Sequence, residues 1–135
     1  MAEDYQDQLF IAYTHEELGK IKRLQQDYPQ AIRLLKTALG YHKTFSCTYG
    51  QTAALIELAK VAIAQGDKAQ ADDYFQQAHV IADHDGVVTN KVKILQAQAE
   101  IAKQAEQVEL ANQLATKALI LAKATKRIPL ISRVN

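Results

Sequence analysis

The side chains best equipped for chemistry gather in two short segments, "HVIADHDG" (residues 79–86) and "FSCTYG" (45–50). In the first, His79 and Asp83 stand one helical turn apart and could share a metal ion, with His84 and Asp85 beside them. The second holds Cys47, the one cysteine of the chain, and a reactive thiol needs a base next to it to keep the thiolate. Two acidic pairs, Glu16–Glu17 and Asp72–Asp73, complete the candidates. The pairs read as solvated helix faces, and both polar segments fall at equivalent places in a repeating pattern, where Gly86 and its neighbours end a helix. The sequence has no GxxxxGKS or GxxxxGKT loop, and no GxSxG, HExxH, CxxC or GxGxxG. No catalytic role, metal or cofactor is therefore expected.

The pattern that must position these residues has a period of 40. Ala31, Ala71 and Ala111 stand in register, as do Ala38, Ala78 and Ala118, and Gly19, Ala59 and Ala99. Each copy reads as two helices. In the second, "TAALIELAKVAIAQ" (52–65) places Leu55, Leu58, Ala59 and Ala62 on one face. "GD" at 66–67 then breaks the pattern, with Gly66 supplying the turn and Asp67 an N-cap. "KAQADDYFQQAHVIA" (68–82) follows, with Ala71, Tyr74, Phe75, Ala78 and Ile81 as its apolar stripe. In the first copy Pro29 sits just inside the second helix, where its missing N–H costs nothing. The small columns let antiparallel helices approach, and Leu35 and Phe75 fill the space beside them. In the third copy the Gly-Asp turn is replaced by "AEQVE" (105–109), and Ala115 stands in the column of Leu35 and Phe75.

These residues resemble the tetratricopeptide repeat, whose pattern runs L-G-x2-Y, then A-x3-F, then a further small residue. The matches are Leu18-Gly19, Leu58-Ala59, Ala31 to Leu35 and Ala71 to Phe75, with Ala38 and Ala78 following. The Tyr column reads Lys22, Ala62, Ala102, and the closing Pro is replaced by Lys43, Asp83 and Lys123. The period exceeds the family's usual length of about 34 residues. Longer repeats of this kind resemble those of bacterial regulators and sensors and of kinesin light chains, whose extra residues lengthen both helices around the junction. The resemblance implies an all-α, right-handed α-solenoid of three helix-turn-helix repeats, over residues 12–45, 52–85 and 92–125, within one domain covering 1–135. Residues 126–135 would begin a fourth helix pair or cap the third.

Composition agrees with helices. Ala and Gln, good helix formers, are abundant, while there are two Pro, five Gly and no Trp. A net charge of +1 gives no global attraction to nucleic acid or anionic membrane. The acidic start "MAEDYQDQLF" is unlike a signal peptide, no run of 18 apolar residues occurs, and a lone cysteine suits a reducing compartment. A cytoplasmic protein is expected.

In tetratricopeptide folds the first helix of each repeat lines a concave groove for peptides or partner helices. The corresponding face carries Tyr13, Lys20, Arg23, Ile56, Lys60, Ile63, Lys93 and Lys103, more basic than the chain as a whole. Ile56 and Ile63 are apolar where solvent is expected, so they either anchor a partner or, with the phase moved one position, belong to the core. Some family members clamp a carboxylate across three repeats. The places here hold Glu16, Lys20, Lys60, Gln96 and Glu100, and two acids among five argue against it. The expected function is protein–protein interaction through this partly basic groove. The alternative is a sensing or oligomerising segment of a larger bacterial transcriptional regulator or signalling protein. At the C-terminal edge Leu114, Ala118 and Leu121 would lack a full neighbour, so the stub with Ile128 and Ile131 covers them, the chain continues, or two copies meet there.

Overall fold

A computed structural model describes the backbone of residues 5–134 and the side chains of residues 6–124. Six helices follow one another: α1 (Tyr5–Leu24), α2 (Tyr28–Thr44), α3 (Thr48–Ala64), α4 (Lys68–Asp85), α5 (Val88–Gln104) and α6 (Val108–Val134). No strand occurs among the described residues, as expected of a helical-repeat protein. Two compact units divide the chain, Met1–Ile81 and Ala82–Asn135. The third copy's second helix runs on without a break through the backbone of the stub to Val134. The expected contribution of Ile128 and Ile131 lies outside the described side chains.

The turns repeat with the same period as the sequence, bond for bond. After α1, the Gln26 N–H donates to the Arg23 carbonyl at 2.9 Å and the Asp27 N–H to the Lys22 carbonyl at 2.9 Å. After α3 the bonds are Gly66 to Ile63 and Asp67 to Ala62, and after α5 Glu106 to Lys103 and Gln107 to Ala102. This pair of bonds is the Schellman motif, which satisfies the last helical carbonyls and requires a left-handed residue between them. That residue is Gly66 at φ 79°, but Gln26 at 64° and Glu106 at 60° in the other two copies. The third copy therefore keeps the turn although it has lost the glycine. Asp27 and Asp67 cap the next helices, accepting from the Gln30 and Gln70 amides at 3.4 and 3.1 Å.

In the first unit α1 and α2 form an antiparallel hairpin whose contact is set by Gly19. A Cβ there would lie 2.6 Å from the Leu35 Cγ, so only glycine lets the two backbones approach with Leu35 between them. Ala31, Leu35 and Ala38 are fully buried, and so are Ala71 and Ala78 in the equivalent stripe of α4, with Phe75 nearly so. Withdrawing a side chain the size of Leu35 or Phe75 from water contributes about 1.5–3 kcal/mol. The helix α3 lies against α2 and also touches α1. It is apolar almost all round, and eleven of its residues between Gly50 and Ala62 are buried, as expected of a helix covered on several sides. In the second unit α5 and α6 form a hairpin of their own.

The backbone geometry predicts that Gln26→Gly and Glu106→Gly each stabilise the chain by about 0.5–1 kcal/mol, while Gly66→Ala costs about 1 kcal/mol. Urea titrations followed by circular dichroism measure all three. Neutral or destabilising glycine variants would mean that the left-handed conformation is not a source of strain.

Candidate functional site

The face of α1 that carries Tyr13, Lys20 and Arg23 meets α3. Arg23 Nε donates to Glu57 Oε1 at 3.2 Å, and Lys60 Nζ lies 3.2 Å from Glu57 Oε2. Glu57 is buried, so its charge is stabilised by two cations rather than by water. Lys20 sits 3.9 Å from the Glu16 carboxylate and 3.7 Å from that of Glu17. The cations Lys20, Arg23 and Lys60 thus face the carboxylates of Glu16, Glu17 and Glu57, and the basic character expected of this surface is compensated within the chain.

Ile56 is not an exposed anchor. It is buried at 5 % exposure, and Ile63 is half-buried. The first repeat shows that this register is packed rather than solvated: Arg23 reaches Glu57 of α3, and Glu16 stands against His42 of α2. Ile56 occupies the position of Glu16, which is itself buried. Of the other expected site residues, Tyr13 borders the α1–α3 contact, Lys93 on α5 is half-buried, and Lys103 is exposed.

The α1–α3 contact is closed by a compact polar cluster. His42 is fully buried, with the Tyr13 ring meeting it edge-on at 4.9 Å and Glu16 Oε1 standing 3.4 Å from its Nε2. A Cβ at Gly50 would fall on the imidazole ring, so α3 reaches this depth only through glycine. The Tyr13 hydroxyl lies 3.7 Å from Cys47 Sγ. Burial, the contact with Cys47 and the nearby Glu16 push the Tyr13 phenol up from 10.0 to about 12. Tyr49 beside this cluster is half-exposed. Around the other polar segment, Asp83 receives Lys91 Nζ at 2.9 Å and Asp85 Oδ1 accepts from the Val87 amide at 2.9 Å. Both carboxylates thus serve the junction before α5, and no group of three or more metal-binding side chains exists among the described residues.

The second unit contains what the first has filled. Between α5 and α6 an open groove of about 950 Å³ is walled by Ala99 and Lys103 on one side and by Ala111, Ala115, Ala118, Leu119 and Ala122 on the other. Moved back 80 residues, these are Gly19, Arg23, Ala31, Leu35, Ala38, Leu39 and His42, the flank of the first hairpin beside α3. The exposures differ as that demands: Leu39 is 8 % exposed and Leu119 54 %. Leu114 and Leu121, expected at an open edge, are half-buried, whereas Ala118 is buried. The sequence signal for the groove was Ala115, which leaves empty the space that Leu35 fills in the first repeat.

A sequence profile of the tetratricopeptide repeat family matches residues 10–84. The chain belongs to the tetratricopeptide repeat family, whose repeats mediate protein–protein interactions without catalysis. Comparisons with curated proteins and with solved structures give no match. No helix among the described residues is long and apolar enough to cross a membrane.

Two outcomes test the cluster. Gly50→Ala should destabilise the fold by about 1–3 kcal/mol through overpacking, and His42→Ala in the same chain should recover part of that loss, giving a favourable coupling in a double-mutant cycle. Additive losses would show that ring and glycine do not meet. The raised Tyr13 value means that the folded chain holds a proton which the unfolded chain gives up near its ordinary 10.0. Stability from this group is full below that pH and lost as pH rises through about 12. Wild type should therefore lose melting temperature more steeply than Tyr13→Phe above pH 10.0. Tyr74, also raised by burial and by Asp73 and Asp67, supplies a decline common to both. Parallel curves would assign no role to Tyr13.

Proposed function

We propose that the protein is an interaction module that receives a helix of a protein partner in the groove between α5 and α6. The observation that carries this is the pair of equivalent flanks, one covered by α3 and the other open, with Leu39 buried and Leu119 exposed at the same register position. Because the occupant in the first unit is a helix, an amphipathic helix fits the groove better than an extended peptide. Lys103 provides one charge at the rim, in the place where Arg23 holds Glu57. An acidic residue midway along the incoming helix is the complement. Lys20, Arg23 and Lys60, all engaged with carboxylates, contribute shape to the fold rather than charge to a ligand. The family's role in protein–protein interaction supports the same function. Of the regulator alternative, self-association is the part that a specific observation favours: α1 carries exposed apolar residues of its own.

A fluorescently labelled peptide of residues 48–64, the α3 sequence, is the direct probe. Its anisotropy should rise saturably with added chain, and Leu119→Asp should weaken binding at least about tenfold, the loss of one buried leucine contact. Leu18→Asp, on α1, leaves the groove intact and should not weaken the peptide's binding. Equal binding by Leu119→Asp, or none by wild type, would sink the groove as a helix receptor.

A further inference from the structure

We propose that the helix received by the α5–α6 groove is α1 of a second copy of this chain, so that copies associate head to tail. This rests on the groove being a helix receptor and adds the identity of its occupant.

The first observation is the exposed stripe of α1. Phe10, Leu18 and Ile21 all face solvent, with Leu18 43 % exposed. Forty residues on, their counterparts in α3 are Gly50, Leu58 and Val61, all buried. Leu58 is 1 % exposed. On α3 this side includes the two residues whose contacts with the first hairpin are defined, Gly50 against His42 and Glu57 against Arg23. The exposed side of α1 is therefore the side by which a first helix packs onto a preceding hairpin. The groove is the corresponding flank of such a hairpin.

One charge pair carries over between the two surfaces, in a groove lined by Glu100 as well as Lys103. Arg23 and Glu57, 3.2 Å apart, join the first hairpin to α3. The groove has Lys103 in the place of Arg23, and α1 has Glu17 in the place of Glu57. Docking α1 in the register of α3 brings Lys103 of one copy to Glu17 of the next. Within its own chain Glu17 is exposed and, among the described residues, pairs with Lys20 at 3.7 Å.

Volume agrees as well. In the first unit the groove side supplies the large His42 and the incoming helix the small Gly50. At the matching places of the second unit are Ala82 and Asn90, both buried, with the sizes exchanged. The open groove offers Ala122, again small, and α1 would bring Phe10 to it. An alanine opposite a phenylalanine keeps the pair filled without overpacking. Because each copy presents one stripe and one groove, the contact is heterologous and growth continues until a ring closes or the ends remain open.

Sedimentation velocity of the full chain from micromolar to millimolar concentration tests this. Wild type should gain mass with concentration. Leu18→Asp removes the stripe and Leu119→Asp removes the groove; both residues are exposed, and circular dichroism verifies that the variants fold. Each variant alone should remain monomeric. Their equimolar mixture should form a 1:1 pair and nothing larger, since one groove and one stripe survive. Glu17→Lys should weaken wild-type association about twofold to fivefold, and Lys103→Glu in the same chain should restore it. Wild type that stays monomeric overturns the proposal, and so does either variant that still self-associates, which would indicate a symmetric contact. If wild type is monomeric yet binds the α3 peptide, the receptor function stands and a different protein supplies the helix. If it does neither, both fall.

Discussion

His42 can be wholly buried because the helix laid over it carries no side chain at Gly50. That contact expresses the constraint on which the architecture depends. A pair of antiparallel helices buries the strip between them, as Gly19 and Leu35 show, but leaves an apolar flank that neither helix can cover. The flank must be closed by the first helix of another pair. Closure demands matched sizes across the junction, and glycine supplies the match where the flank is bulky. Everything distinctive about α3 follows from being that closing helix: its apolar surface nearly all round, its buried Glu57 and its weak division into faces.

Burying Glu57 and Glu16 would be costly if their charges were unpaired. Arg23 and Lys60 grip the first from two helices, and Lys20 together with His42 borders the second. The cations are therefore part of how the junction is sealed. Such pairs add directional contacts to an interface otherwise made of methyl groups and fix how far α3 slides along α1. A surface that looks basic when cations are counted along one helix becomes neutral once the partner helix is present.

Much of the fold was legible in the sequence because its main determinants are local or periodic. Ala31, Leu35, Ala38 and their copies are small or large for packing reasons that act at one fixed spacing, and "GD" announces a turn and a cap together. The turn at Glu106 shows where legibility stops. A left-handed residue other than glycine carries no signal, and only the recurring bonds to Lys103 and Ala102 reveal that the motif survives. The candidate site was harder for a related reason. Periodicity identifies a face of α1 but not what covers it, so Glu16 was read as part of a solvated face and Ile56 was left between partner anchor and core, whereas both are buried. The groove itself was written in one substitution, Ala115 in the column of Leu35, which reads as a weakened repeat until the space it leaves is seen.

The two unfinished surfaces differ in a way that bears on how they can be completed. The apolar part of the groove wall is mostly alanine, set among polar side chains such as Gln96, Glu100 and Asn112, so leaving it open exposes little apolar area per residue and few contacts are forfeited. The stripe on α1 instead exposes large side chains, Phe10, Leu18 and Ile21. Two such stripes pressed together would crowd bulky residues against one another, and two grooves pressed together would enclose voids. Small walls and large knobs satisfy each other only in unlike pairs. The asymmetry of residue size, independent of charge, thus selects a contact between different faces over a symmetric one, by the same matching that seats Gly50 on His42.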